Sequence, residues 1–215
     1  MFPKTLDHNA QKALATLDNK PFLKPFLLSG GTALALQLGH RVSFDLDFIT
    51  PKKFNGDRLL DCLVKLPQFT LTEKSWQTIH GTLQRTKISF LYQKSAILKK
   101  PLEYQGVQIA NLQDIAAMKL AAVSNRGTKR DFIDIYFICQ EKDFTLEKLL
   151  KLYQQKYQTN GSASFHLLKS LVFFEDADSN PQKLKLIKKV GWGRVKNYFR
   201  EEITRITDKQ SKPRQ

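Results

Sequence analysis

A chain of 215 residues can form one large domain or two small ones around a real core. Its apolar fraction of 41% and charged fraction of 26% exclude a fibrous or intrinsically disordered chain. The 35 Lys and Arg against 20 Asp and Glu leave a net charge of +15, a field that concentrates polyanions such as RNA or DNA or serves solubility alone.

The basic excess is no tail. Residues before 109 include 15 basic and 8 acidic side chains, and those from 109 on include 20 and 12. Cys62 and Cys139 stand among apolar residues in no ligand spacing, which predicts buried free thiols rather than a disulfide or a zinc site. No apolar run approaches the ~20 residues of a membrane span, and "MFPKTLDHNAQKALATL" lacks signal architecture. A cytoplasmic protein without a membrane partner is the expectation.

In chain order, "DHNAQKALATLDN" (Asp7–Asn19) predicts an amphipathic helix. "PFLKPFLLSGG" leads through prolines into a brief strand ending at Gly30-Gly31, and "TALALQLG" reads as a helix capped by Gly39. "VSFDLDFI" alternates as a strand. A helix at Gly56–Leu66 follows, then strands at Phe69–Lys74, Trp76–His80, Leu83–Tyr92 and Tyr104–Ile109, with Gly81 as a turn. From Asn111 the pattern turns helical: Leu112–Ser124, Arg130–Gln140, Thr145–Gln155, Ser164–Phe173 and Trp192–Ile206, with a frayed tail "TDKQSKPRQ". The expected class is α/β (α+β): an α/β core over residues 1–108 and a helical domain over 109–215.

Two places carry chemistry. In a strand Asp45 and Asp47 share one face, where two carboxylates repel unless a cation lies between them. Mg²⁺, held by one or two carboxylates and by phosphates, answers that repulsion; a solvated edge strand is the structural alternative. Gly30 and Gly31 let backbone approach a ligand, the amides of the next helix attract phosphate, and the Thr32 hydroxyl can donate to it. A phosphate cradle next to a metal-holding pair is what phosphoryl transfer needs.

Further on, "NLQDIAAMKLAAVSN" offers Asn111 as an N-cap and Asp114 in a near capping box. Lys119 lies on an otherwise apolar face, either reaching out to water or aimed at a phosphate. In "NRGTKRDFIDIYFICQ", Asp131 and Asp134 share one face of a helix apolar almost all round. A buried carboxylate needs a cation, for which Arg126, Lys129 and Arg130 are at hand.

Gly-Gly-Thr followed by Asp-x-Asp resembles the DNA polymerase β-type nucleotidyltransferase fold. "GGTALALQLGHRVSFDLDF" together with "DIAAMKLAAVSNRGTKRDFIDIYFI" is similar to the abortive-infection AbiEii/AbiGii nucleotidyltransferase toxins, a resemblance covering most of the chain. It implies a polymerase β-type mixed sheet whose helical half completes the active-site cleft. Gly30, Gly31 and Thr32 would embrace a nucleoside triphosphate, with Arg41, Ser43 and Lys119 as further nucleotide contacts. Asp45 and Asp47 would hold one or two Mg²⁺ ions, and Asp131 would face the cleft as a possible base. Asp134, Arg126, Lys129 and Arg130 are secondary candidates. Ser89 stands where polymerase β-type enzymes generally carry a third carboxylate, which leaves the second metal and the base open.

The implied activity is transfer of a nucleoside monophosphate from a triphosphate to RNA, with tRNA the leading acceptor, by a toxin paired with a cognate antitoxin. Two rivals remain: a catalytically silent nucleotide- or RNA-binding module, and a transferase acting on protein.

Overall fold

The computed structural model describes residues 1–159, 161–179 and 183–211. The chain divides into two compact units, Met1–Ile115 and Ala116 onward.

In the first unit Asp7 caps α1 (His8–Thr16) by accepting from the Ala10 amide at 2.8 Å. The strand β1 (Leu27–Ser29) runs straight into α2 (Gly30–Leu38), which Gly39 ends in the left-handed conformation at φ +67°. β2 (Leu46–Thr50) and α3 (Gly56–Leu63) follow, then β3 (Phe69–Ser75), β4 (Thr78–Leu83), β5 (Thr86–Tyr92), β6 (Leu102–Tyr104) and β7 (Val107–Ile109). They build one seven-stranded sheet in the order β3-β4-β5-β2-β1-β7-β6. β1 pairs with β7 and β2 with β5 in parallel; the other pairings are antiparallel.

Register explains the two faces of this sheet. Leu28, Phe48, Phe90 and Ile79 lie opposite one another across four strands and are buried. Phe48 and Phe90 stack at 5.2 Å, and the Phe26 ring meets Phe90 edge-on at 5.2 Å. One residue along, the row is polar: Ser29, Asp47, Ser89 and His80. Since side chains alternate between faces, the apolar row fixes the polar row on the opposite face.

Several sequence expectations shift. Gly81 lies inside β4, where a Cβ would come within 2.7 Å of the Thr70 carbonyl, so it permits close strand packing rather than a turn. The β4–β5 turn is made by Gln84 and Arg85, both at positive φ (52° and 65°), the primed geometry that suits strand twist. β6 and β7 form a hairpin in place of one strand, turning at Gln105-Gly106. Asp45 stands one residue before β2 rather than within a strand. Cys62 and Cys139 are free but only partly buried.

Helix α4 (Leu112–Arg126) crosses the division between the units. Asn111 starts it, its side chain accepting from the Gln113 amide at 3.1 Å. Asp114 also reaches beyond its own helix. Its buried carboxylate accepts from the amides of Leu98 (3.0 Å) and Lys99 (3.1 Å) and so ties down the segment after β5.

The second unit is helical: the rest of α4, α5 (Lys129–Cys139), α6 (Leu146–Tyr157), α7 (Gly161–Ser170), α8 (Glu175–Ser179) and α9 (Trp192–Ser211). Phe132 packs against Phe174, Trp192 and Phe199 at ring separations of 5.1 to 5.9 Å, the aromatic centre of this unit. The expected frayed tail is helical as far as Ser211; residues 212–215 lie outside the described residues. Among the described residues no helix is long and apolar enough to cross a membrane.

Candidate active site

The first constellation lies where β1 meets α2. Gly30 turns at φ +64°, and a Cβ there would sit 2.8 Å from Asp47 Oδ2. A side chain is therefore excluded both by conformation and by the carboxylate beside it. At Gly31 a Cβ would fall 2.5 Å from Arg41 Nη2 and 3.2 Å from Ser43 Oγ. The N-cap residue Ser29 makes no side-chain capping bond to α2, and such a first turn presents its amides, with the positive end of the helix dipole, to an anion.

Thr32 is buried, and its hydroxyl lies within hydrogen-bond reach of the Asp45 carbonyl and 2.9 Å from Ser43 Oγ. Its contacts clasp the helix to the approach of the carboxylate strand, so its proton is engaged inside the protein. Arg41 is only 2% exposed and donates from Nη1 to the Val42 carbonyl at 3.2 Å. Ser43 is buried too, its amide donating to the Thr5 carbonyl at 2.8 Å. Arg41 and Ser43 thus support the turn from beneath, and the buried guanidinium adds a fixed positive charge against Gly31.

Asp45 and Asp47 are both half-buried. Ser89 lies directly opposite Asp47 in register and donates to its Oδ1 at 2.6 Å. A third carboxylate at this position would repel Asp47; the hydroxyl instead orients it and keeps it an acceptor. The Asp45 side chain makes no hydrogen bond or ion pair with a described residue. Sequence reasoning does not single out His80, which follows Ser89 in the polar row. Alternation in "TIHGTL" puts it on one face, but only strand order puts it opposite Ser89, one strand away from Asp47.

No group of three or more His, Cys, Asp or Glu able to hold a metal occurs among the described residues. Two carboxylates beside a bare backbone cradle fit an ion that takes its remaining oxygens from phosphate and water, the habit of Mg²⁺.

The second constellation lies wholly in the second unit. Asp131 and Asp134 are fully buried, and both pair with Lys119, at 2.9 and 2.7 Å. Asp131 also accepts from Arg126 Nε (2.8 Å), Arg126 Nη2 (3.1 Å) and Thr128 Oγ1 (2.6 Å). Burial pushes its pKa up, but the Lys119 charge and the Arg126 and Thr128 donors outweigh that and hold it at about 2. Four donors on one carboxylate make it a structural anchor and a poor base. Lys119 is 5% exposed and does not reach out to water. Of the other predicted cations, Lys129 lies over the Trp192 ring at 5.3 Å, and Arg130 makes no ion pair with a described residue.

Residues 12–98 and 84–207 match the model of a family described as nucleotidyl transferase AbiEii toxin, type IV toxin–antitoxin system. An uncharacterized protein of Aquifex aeolicus (strain VF5) is 32% identical over 210 residues, covering 93% of this chain and 97% of that one. Two solved structures share the fold. JHP933 from Helicobacter pylori has a TM-score of 0.57 at 18% identity, over 97% of this chain and 94% of that one. The nucleotidyltransferase toxin MenT4 of Mycobacterium tuberculosis H37Rv has 0.51 at 17% identity, over 93% and 82%.

Proposed function

Because the chain belongs to the AbiEii nucleotidyltransferase toxin family, we propose that it transfers a nucleoside monophosphate from a triphosphate to RNA, with tRNA as the leading acceptor, using Mg²⁺ at Asp45 and Asp47. The observation that carries this reading is the fit of Gly30 against Asp47: a ligand-accepting backbone turn touches the carboxylate of the pair.

The α2 amides and the Arg41 charge bind the triphosphate tail. Asp45 and Asp47 would hold the metal, which would supply charge neutralisation at the reacting phosphate. Ser89 keeps Asp47 oriented. The acceptor hydroxyl oxygen forms a bond to the α-phosphorus as the bond to the bridging oxygen breaks; pyrophosphate leaves and the hydroxyl proton passes to solvent or a base. Asp131 is already engaged by Lys119, Arg126 and Thr128. Lys119 shares two of its three N–H groups with Asp131 and Asp134. The family implies a cognate antitoxin, and a location in the cytoplasm suits an RNA-modifying toxin.

Purified protein with labelled triphosphates, Mg²⁺ and total RNA should yield labelled RNA, and Asp45→Ala or Asp47→Ala should abolish the label. Label on protein alone would move the acceptor to protein. Product unchanged by both substitutions would remove the catalytic assignment, and no product with any triphosphate would leave a silent binding module.

A further inference from the structure

We propose that Trp76 and the lysines around it form a stacking platform for a single-stranded stretch of nucleic acid, at the end of the sheet remote from the Gly30 turn. Trp76 is 71% exposed, the most exposed of the large apolar side chains. It occupies the two-residue β3–β4 turn between Ser75 and Thr78.

That turn is held rigidly. The Gln77 side-chain amide grips the Phe54 backbone from both sides, donating to its carbonyl and accepting from its N–H, each at 2.7 Å. The Gln77 carbonyl accepts from the Tyr92 amide at 3.0 Å. Phe54 in turn packs edge-on against core Phe26 at 5.1 Å, and the Tyr92 ring stands edge-on to Trp76 at 6.0 Å. A large aromatic side chain is thus presented to solvent on a braced backbone, so little ordering remains to be done when a ligand stacks on it.

The surroundings choose the ligand. Lys53 lies over the Trp76 ring at 5.6 Å. Lys52 and Lys94 are exposed on the adjoining segments, where the Gln93 amide bonds the Thr50 carbonyl at 2.9 Å. None of these three lysines makes an ion pair with a described residue, and nearby Asp57 is paired with Lys74. Stacking on an aromatic face with cations for the backbone is how single strands are held without sequence preference. From Ser89, opposite Asp47, to Tyr92 the platform lies about 10 Å along β5, in the same unit as the carboxylates.

This inference rests on RNA as the acceptor, and the experiment separates the two. The full chain carrying Asp45→Ala and Asp47→Ala, which removes turnover, is titrated against a short labelled single-stranded oligoribonucleotide and followed by fluorescence anisotropy. Adding Trp76→Ala should weaken binding between about 5-fold and 100-fold, while Trp76→Phe keeps most of the affinity. Replacing Lys52, Lys53 and Lys94 by Ala should flatten the salt dependence, by roughly 0.7 in log–log slope per lost phosphate contact. Trp76→Ala binding within twofold of its parent would overturn the platform and leave RNA as acceptor intact. A parent that binds no oligonucleotide or tRNA overturns both. Unchanged RNA binding with loss of antitoxin binding would assign the surface to protein instead.

Discussion

Replacing Lys119 by Met tests whether the buried cation of the second unit holds its two carboxylates. Met fills similar space but leaves Asp131 and Asp134, both 0% exposed, without the ammonium 2.9 and 2.7 Å away. Breaking a buried pair from one side costs about 3–5 kcal/mol, which shifts a urea midpoint by roughly 2 M. Acid should close the gap between the two proteins. Asp131, held at about 2 against an ordinary 3.8, contributes on the order of 2 kcal/mol near neutrality. Because its folded value is the lower one, that contribution is complete above the unfolded value and is lost as pH falls through 2. In the variant the same carboxyl protonates sooner and no longer needs a cation. Urea unfolding at a series of pH values measures both effects, and adding Asp134→Asn to the variant should recover part of the loss. A Lys119→Met protein within about 1 kcal/mol of wild type at pH 7, or a gap that widens with acid, would refute the reasoning.

Gly30→Ala should cost about 1–3 kcal/mol from its positive φ and push Asp47 aside, so thermal melting and labelled-RNA yield should fall together. Ser89→Ala should lower turnover while leaving triphosphate KM little changed, since it frees Asp47 to rotate; equal loss in both would refute an orienting role. Ser89→Asp should melt lower in chelator and be rescued by Mg²⁺, and a variant indifferent to Mg²⁺ would argue against a metal at Asp47. Asp114→Ala should expose the segment around Leu98 and Lys99 to limited proteolysis, with about 1–3 kcal/mol lost for each orphaned amide.

Much of the site was legible because its parts are close in sequence. The Gly-Gly-Thr turn and the helix ended by Gly39 each follow from local rules of backbone freedom, whereas strand alternation does not reach Asp45, which stands before β2. The shared face of Asp131 and Asp134, and their need for a cation, follow in the same way from helical spacing. What local pattern could not reach was the partner of each group. Lys119, which the local pattern leaves to meet water or a phosphate, is shared between two carboxylates. Thr32, a phosphate donor by its place after the glycines, is turned inward to the Asp45 carbonyl and Ser43. Asp114, near a capping box by its spacing, also serves the amides of Leu98 and Lys99.

By itself, then, the sequence settled which residues carry charge, where the chain can bend and which faces are apolar, since these depend on neighbours within a few positions. Strand order and register belong to the tertiary structure. Only the placing of β5 beside β2 brings Ser89, 42 positions away, to 2.6 Å from Asp47. Only the packing around Phe26 and Phe54 turns an exposed tryptophan into a fixed one. The reason is common to both: a hydrogen bond or contact between distant residues forms where the buried apolar rows bring the chain together, and those rows can pair in more than one order until the whole core is closed.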